Sequence, residues 1–247
     1  MTAAPQPTAA GAVASLDDVG VRFDFDHLGR VVTPGLSRFR RITASAWGLR
    51  HVELRLDPGE GLALVGPTGS GKTTLLRVLA AVVLPDEGTY EVRGRVGSLL
   101  ATDAGLASLL TGRENAELLG VLAGLTLEET RAQMEAVDAR SHLGAAFDRP
   151  VHTYSQGMRA RLGLSVVQAI EPDVLLLDEV FEALDHEYRA VVEQLAKDVR
   201  ARGGVVVAAG HDHHALERVC PRAAWLEEGR IRLEGPFEEV IPAYLEA

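Results

Sequence analysis

The chain has little cysteine, few aromatic side chains and no long apolar run. Its 247 residues include one cysteine, Cys220, and aromatic residues make up 5% of the total. A single cysteine excludes an internal disulfide framework and a zinc site built from cysteines, and it is typical of a reducing compartment. The longest apolar candidate, residues 75–84, is interrupted by Arg77 and is far shorter than the ~18 residues of a membrane span. We therefore expect a cytoplasmic protein without a membrane span of its own.

Basic residues are also scarce. Lys plus Arg number 25 against 35 Asp plus Glu, which gives a formal net charge of −10. A protein that binds DNA or RNA usually carries a basic footprint, so this balance argues against a nucleic-acid partner. Apolar residues make up 47% of the chain, enough for a sizeable core. Residues 1–15 are rich in Ala, Thr and Pro and predict a disordered leader, which leaves residues 16–247 as one domain.

The pattern of apolar residues predicts an α/β fold. Alternation from Val19 to Phe25 and through residues 52, 54 and 56 indicates strands with one buried face. The basic stretch between them, which contains Arg38-Phe39-Arg40-Arg41, is interpreted as an insertion or linker. Three continuous apolar runs, at residues 62–65, 174–177 and 205–209, are typical of strands in a parallel sheet covered by helices. Residues 105–170 have helical character instead, including a capping-box pattern that starts at Thr126.

A phosphate-binding loop is the most specific motif. It is Gly66-Pro67-Thr68-Gly69-Ser70-Gly71-Lys72-Thr73, which follows a predicted strand and leads at Thr74 into a predicted helix. Glycines let backbone N–H groups point at phosphate oxygens, and the helix N-terminus adds partial positive charge. Lys72 would supply a full charge to the outer phosphates, and the Thr73 hydroxyl would be a ligand of Mg²⁺. The motif predicts binding of a nucleoside triphosphate.

Two further strand ends carry candidate catalytic groups. Asp178 and Glu179 end the second apolar run; we expect Asp178 on the metal side and Glu179 as the general base that activates water. His211 follows the third run, where it could contact the γ-phosphate or hold the water. Because His211, Asp212, His213 and His214 are consecutive, their side chains would point in different directions. A metal site there is the less favoured interpretation.

The segment Tyr154-Ser155-Gln156-Gly157-Met158 opens an amphipathic helix and offers a second potential anion site at its N-terminus. Here the sequence resembles the ATP-binding-cassette (ABC) ATPases, whose signature is usually L-S-G-G-Q. The resemblance covers nearly the whole chain from about Asp18. It implies a P-loop NTPase fold with a RecA-like parallel sheet core, an antiparallel β subdomain and an α-helical subdomain inserted at about residues 104–165. It also implies that Ser155 and Gly157 reach the γ-phosphate of ATP held by a second subunit.

The resemblance implies roles for other residues as well. Asp185 occupies the aspartate position of the loop that contacts the second subunit, and His211 matches the switch histidine of the family. Phe23 stands where an aromatic residue stacks on adenine, although Phe25 and Trp47 are alternatives. The family's coupling glutamine is replaced by Ala101 when the sequences are aligned by eye around residues 94–100. Thr102, Asp103 or the backbone could substitute for it.

Several details are similar to one branch, the ATPases that export polysaccharides such as O-antigen, teichoic acid or galactan. They are the Y-S-x-G-M signature followed by Arg161, the segments at residues 104–115 and 220–244, and the insertion before Trp47. The resemblance implies an ATP- and Mg²⁺-dependent motor that forms a homodimer on ATP and drives a separate permease dimer. Such a motor would be peripheral on the inner face of the cell membrane. The alternatives are a generic drug or lipid exporter ATPase, a P-loop ATPase that acts on nucleic acid, and a small-molecule kinase.

Overall fold

The computed structural model describes residues 14–33, 36–100 and 105–247. Most of the predicted leader, residues 1–13, is not among them, and neither are Ala101, Thr102 and Asp103, the candidates for the coupling position. Ala14 and Ser15 belong to the first strand rather than to a leader, because they pair with Leu56 and Arg55 of the neighbouring strand.

Within these residues the chain forms nine strands and nine α-helices. The strands are β1 (Ala14–Thr33), β2 (Leu36–Leu56), β3 (Gly61–Val65), β4 (Glu87–Val92), β5 (Val96–Leu100), β6 (Val174–Asp178), β7 (Val205–Ala209), β8 (Arg222–Glu227) and β9 (Arg230–Pro236). The helices are α1 (Lys72–Leu79), α2 (Gly112–Leu122), α3 (Leu127–Ala132), α4 (Met134–Ser141), α5 (Gln156–Ile170), α6 (Val180–Ala183), α7 (His186–Ala201), α8 (His213–Val219) and α9 (Phe237–Leu245).

A six-stranded sheet in the order β5-β6-β7-β3-β8-β9 forms the centre of the fold. All pairs are parallel except β8 with β9. The three predicted apolar runs are β3, β6 and β7, and every residue of these strands is buried. Apolar side chains on both faces of a strand require a cover on both sides, which helices supply. The predicted α/β class with a parallel core is confirmed, and the carboxyl ends of β3, β6 and β7 lie on one edge of the sheet.

The second sheet is antiparallel, with the order β2-β1-β4. Interpretation of the basic stretch around Arg38–Arg41 as a linker was wrong, because β1 and β2 continue through it as one hairpin. The register runs from Ala14 opposite Leu56 to Thr33 opposite Leu36, and it places Arg41 opposite Leu28. Arginine interrupts the apolar pattern from which a strand is predicted, but it leaves the backbone free to pair. The strands are held together here by backbone hydrogen bonds, which a pattern of apolar side chains does not reveal.

Helices α2 to α5 lie in sequence between β5 and β6, which are adjacent in the sheet. Both α2 and α3 begin with a capping box, at Thr111 and Thr126, so the predicted box at Thr126 is present. These helices have a hydrophobic cluster of their own that includes Phe147, Leu162 and Val166. Helix α5 runs to Ile170, beyond the predicted boundary of the helical insertion near residue 165. Across the described part of the chain, none of the helices has the length and apolar character needed to cross a membrane.

Candidate nucleotide site

The predicted phosphate-binding loop joins β3 to α1 and is shaped by its glycines. Gly66 and Gly71 have φ angles of 144° and 110°, which L side chains rarely adopt. A Cβ on Gly66 would overlap the Leu226 carbonyl oxygen, and one on Gly71 would lie 2.6 Å from the Gly48 carbonyl oxygen. Glycine is therefore required here both by backbone angle and by the close approach of neighbouring strands. The β8–β9 turn supports the loop, since the Gly229 N–H donates to the Ser70 carbonyl oxygen at 2.9 Å.

Lys72 and Ser70 point to an anion as the ligand of this loop. The Lys72 ammonium is held inside the loop, donating to the carbonyl oxygens of Gly66 (2.7 Å) and Pro67 (3.1 Å). Burial lowers the pKa of Lys72, and the carboxylates of Glu179 and Asp178 oppose that shift. The Ser70 hydroxyl is buried without a hydrogen-bond partner among the described residues. Helix α1 starts without a side-chain cap, so its first N–H groups remain available to a phosphate.

The two residues predicted to face the metal lie together. Asp178 is the last residue of β6, it is 5% exposed, and its carboxylate is hydrogen-bonded to the Thr73 side chain at the start of α1. Burial raises the pKa of Asp178; the Thr73 hydrogen bond and the Lys72 charge oppose this shift, and the neighbouring Glu179 adds to it. A hydroxyl and a carboxylate form an oxygen donor set of the kind that Mg²⁺ prefers. The geometry therefore fits Mg²⁺ held beside a phosphate.

Glu179 and His211 meet at the edge of the sheet. Glu179 has a φ of 53°, and its N–H donates to the Ala209 carbonyl oxygen at 2.9 Å, which ties it to the end of β7. His211 Nε2 lies 3.7 Å from Glu179 Oε1, and both side chains are more than half exposed. A non-glycine residue in the left-handed region is a strained conformation that occurs often at functional sites. Here it turns the carboxylate out of the sheet toward the side where His211 lies.

Sequence reasoning missed the position of Glu182. Its Oε1 atom accepts hydrogen bonds from the backbone N–H groups of His211 (2.7 Å) and Asp212 (3.3 Å). In the sequence Glu182 is an ordinary acid at the start of the loop that leads to Asp185. No sequence signal identifies this contact, because it depends on β6 and β7 being neighbours in the sheet.

Ser155, Gly157 and Asp185 are at helix starts. Ser155 caps α5 by accepting from the Met158 N–H at 3.2 Å, and Asp185 caps α7 by accepting from the Tyr188 N–H at 3.0 Å. Ser155 and Asp185 are exposed. A Cβ on Gly157 would meet nothing within 4 Å, so the space beside it is open. The hydrogen bonds described for these two caps are with their own helices and do not bring them to the phosphate-binding loop of the same chain.

Of the aromatic residues that are candidates for stacking on adenine, Phe23 lies close to the phosphate-binding loop. A Cβ on Gly48 would lie 2.5 Å from Phe23 Cε2 and 3.4 Å from Thr74 Cγ2, so the ring and the start of α1 flank the same glycine. Trp47 instead packs over Gly20 and is flanked by the guanidinium groups of Arg22 and Arg50, 6.0 and 5.9 Å from its ring centroid. The side chain of Phe25 is outside what the structure describes.

A metal site at the consecutive histidines has no support. Among the described residues, no group of three or more His, Cys, Asp or Glu side chains could hold a metal ion. His213 packs edge-on against Tyr244 at a centroid distance of 6.0 Å, and burial lowers the pKa of its imidazole. These contacts give His213 a packing role.

Comparison with known proteins agrees with this geometry. The sequence model of the ABC transporter family matches residues 49–182. An O-antigen export system ATP-binding protein, RfbB of Klebsiella pneumoniae, is 38% identical over 81% of this chain and 81% of its own length. A teichoic acids export ATP-binding protein, TagH of Lactococcus lactis, is 33% identical over 80% of this chain and 42% of its own length.

Solved structures show the same fold. The dimeric, post-hydrolysis ATP-binding cassette MJ0796 with ADP and Pi has a TM-score of 0.72 at 22% identity, covering 91% of this chain and 98% of that one. An ATP-binding subunit of an ABC transporter has a TM-score of 0.72 at 19% identity, covering 94% and 93%. With its phosphate-binding loop, its strand-end carboxylates and these relatives, the chain belongs to the ABC transporter family, as an ATP-hydrolysing subunit.

Proposed function

We propose that this chain is the motor subunit of an exporter that moves a lipid-linked polysaccharide across the cytoplasmic membrane through a separate permease dimer. The observation that carries the proposal is the 38% identity, over 81% of both chains, to an ATP-binding protein of an O-antigen export system. The teichoic acid relatives support the same substrate class, although this chain spans only about half of their length.

Each group of residues in the nucleotide site would bind a different part of Mg²⁺-ATP. The loop from Gly66 to Thr73, together with Thr74, would hold the phosphates, and the Lys72 charge would stabilise the outer ones. Thr73 and Asp178 would hold Mg²⁺, which when bound neutralises charge on the phosphates. Phe23 would stack on adenine. The unpartnered Ser70 hydroxyl and the uncapped start of α1 support this assignment, because both offer donors where phosphate oxygens would lie.

Hydrolysis would use the residues at the ends of β6 and β7. The Glu179 carboxylate would accept a proton from the attacking water, and its turned-out backbone presents it to the sheet edge where the phosphates are held. His211 would hold the water or the γ-phosphate, since its ring nitrogen lies 3.7 Å from that carboxylate. Asp178 is buried beside Thr73 and has the metal role instead.

A second copy of the chain would complete each site. Ser155 and Gly157 form an exposed helix start with open space beside it, which suits them to approach the γ-phosphate bound to the other copy. Asp185 is similarly exposed at the start of α7 and would contact the partner. In this arrangement residues 14–247 form the nucleotide-binding domain, with helices α2 to α5 inserted between β5 and β6, and the dimer is peripheral on the inner face of the membrane.

Depletion of the protein in its host tests the export role. We expect completed lipid-linked glycan to accumulate on the cytoplasmic side after depletion. Expression of the wild-type chain should restore its export, whereas expression of Lys72→Ala should not. The second lysine, Lys197, is exposed on α7, so Lys197→Ala is the matched control and should rescue. An unchanged glycan distribution would contradict polysaccharide export and favour the alternative, a drug or lipid exporter with the same motor.

A further inference from the structure

The Glu182 carboxylate links the catalytic segment to the histidine turn. Helix α6 begins directly after Glu179, and Glu182 is its third residue. Its Oε1 atom accepts from the His211 N–H at 2.7 Å and from the Asp212 N–H at 3.3 Å. Hydrogen bonds to an ionised acceptor are stronger than neutral ones. The short helix that follows Glu179 thereby holds the backbone of His211.

Gly210, which precedes His211 in the turn after β7, leaves space for the Glu182 carboxylate. A Cβ on Gly210 would lie 2.9 Å from Glu182 Oε1, so a side chain there would push the acceptor away. A second link holds the other end of the turn: Arg189 donates to the Leu184 carbonyl oxygen at 3.0 Å and to Asp212 Oδ2 at 3.3 Å. The segment from Glu182 to Leu184 and the turn that carries His211 are therefore joined at two points.

Capping of helix α8 does not explain Glu182. Asp212 already caps that helix with its own side chain, which accepts from the Ala215 N–H at 3.0 Å. The 2.7 Å hydrogen bond to Glu182 is donated by the N–H of His211, which precedes the cap residue. Its direct effect is thus on the backbone position of His211.

We propose that Glu182 is a positioning residue, which fixes His211 relative to Glu179 for ATP hydrolysis. The inference rests on the role of His211 stated under the proposed function. A misplacement of about 1 Å at a reacting centre can cost up to ~100-fold in rate, so the loss of one such bond should be visible in turnover. Binding of ATP should be little affected, because Glu182 acts through the histidine turn and Lys72 holds the phosphates.

The test is steady-state ATP hydrolysis by Glu182→Ala and Glu182→Gln in the full chain. We expect Glu182→Ala to lower kcat roughly tenfold with little change in KM for ATP. Glu182→Gln keeps the accepting oxygen and should retain kcat within about twofold. Glu217→Gln removes an exposed carboxylate from α8 and is the charge-matched control, expected to behave as wild type. Thermal unfolding of each variant identifies any that fails to fold.

A double-mutant cycle with His211→Ala separates positioning from stability. If Glu182 acts through His211, the double variant is no slower than His211→Ala alone. Additive losses would overturn the inference, as would wild-type kcat in Glu182→Ala when His211→Ala is slow. Full activity of His211→Ala would instead remove the proposed role of His211, and the inference with it.

Discussion

The Nε2 atom of His211 lies 3.7 Å from Oε1 of Glu179, although the two residues belong to different strand–helix connections. The parallel pairing of β6 with β7 creates this relationship, because it aligns Asp178 with Ala209 and so places the residues that follow side by side. Two loops that leave neighbouring strands at the same edge can build a site without any sequence proximity. The sheet register therefore determines where the candidate general base meets the histidine.

Phe23, and not Trp47, should set the affinity for ATP. Phe23→Ala removes the ring that flanks Gly48 beside Thr74, and base stacking on an aromatic ring is worth about 1–3 kcal/mol. We expect the Kd for ATP to rise about tenfold, whereas Trp47→Ala should change it by less than about twofold. Titration of a fluorescent ATP analogue measures both. The reverse order of the two effects would assign adenine to the Trp47 face of the sheet.

Asp178 should make the ligand-free protein less stable as the pH rises. Its pKa is raised in the folded state, chiefly by burial, so the stability it contributes is present below the ordinary Asp pKa, about 3.9, and is lost as the pH rises through the raised value. Asp178→Asn removes the buried charge. We therefore expect its thermal unfolding midpoint to exceed that of wild type at pH 7, by a margin that shrinks toward acid pH.

Thermal unfolding of nucleotide-free Asp178→Asn and wild type from about pH 3.5, below the ordinary Asp pKa, up to pH 8 checks this expectation. Asp17→Asn, at an exposed position on β1, controls for the loss of one negative charge. A midpoint for Asp178→Asn below that of wild type throughout would show that ionised Asp178 stabilises the fold.

Gly71→Ala should destabilise the fold far more than an alanine at another left-handed glycine. Gly71 and Gly124 both have positive φ, at 110° and 94°, and an alanine in that region costs roughly 1–2 kcal/mol. At Gly71 the new Cβ would also lie 2.6 Å from the Gly48 carbonyl oxygen, while at Gly124 it would meet nothing within 4 Å. Urea unfolding should show a loss at Gly71→Ala larger by about 1–3 kcal/mol. Equal losses of unfolding free energy would contradict this, because they would mean that the Gly48 carbonyl of β2 moves away from the new Cβ at little cost.

The sequence predicts the central sheet well and the connections between elements less well. Residues 174–177 could be predicted as a buried strand because burial on both faces demands an unbroken apolar run. The β1–β2 hairpin could not, since Arg40 and Arg41 break the pattern while their backbones still pair. The Glu182 contact could not be predicted either. It depends on the adjacency of β6 and β7, which a linear pattern does not encode.

Dimerisation of the Glu179→Gln chain on ATP tests the shared, two-chain site most directly. Without the general base, bound ATP should persist and hold two copies together, with Ser155 and Gly157 of each copy at the other's γ-phosphate. Light scattering on a sizing column should give 26.4 kDa without ATP. With ATP we expect about twice that mass, and Ser155→Arg in the same background should abolish the increase. A monomer mass at saturating ATP, with nucleotide shown to be bound, or hydrolysis at the wild-type rate would contradict the account.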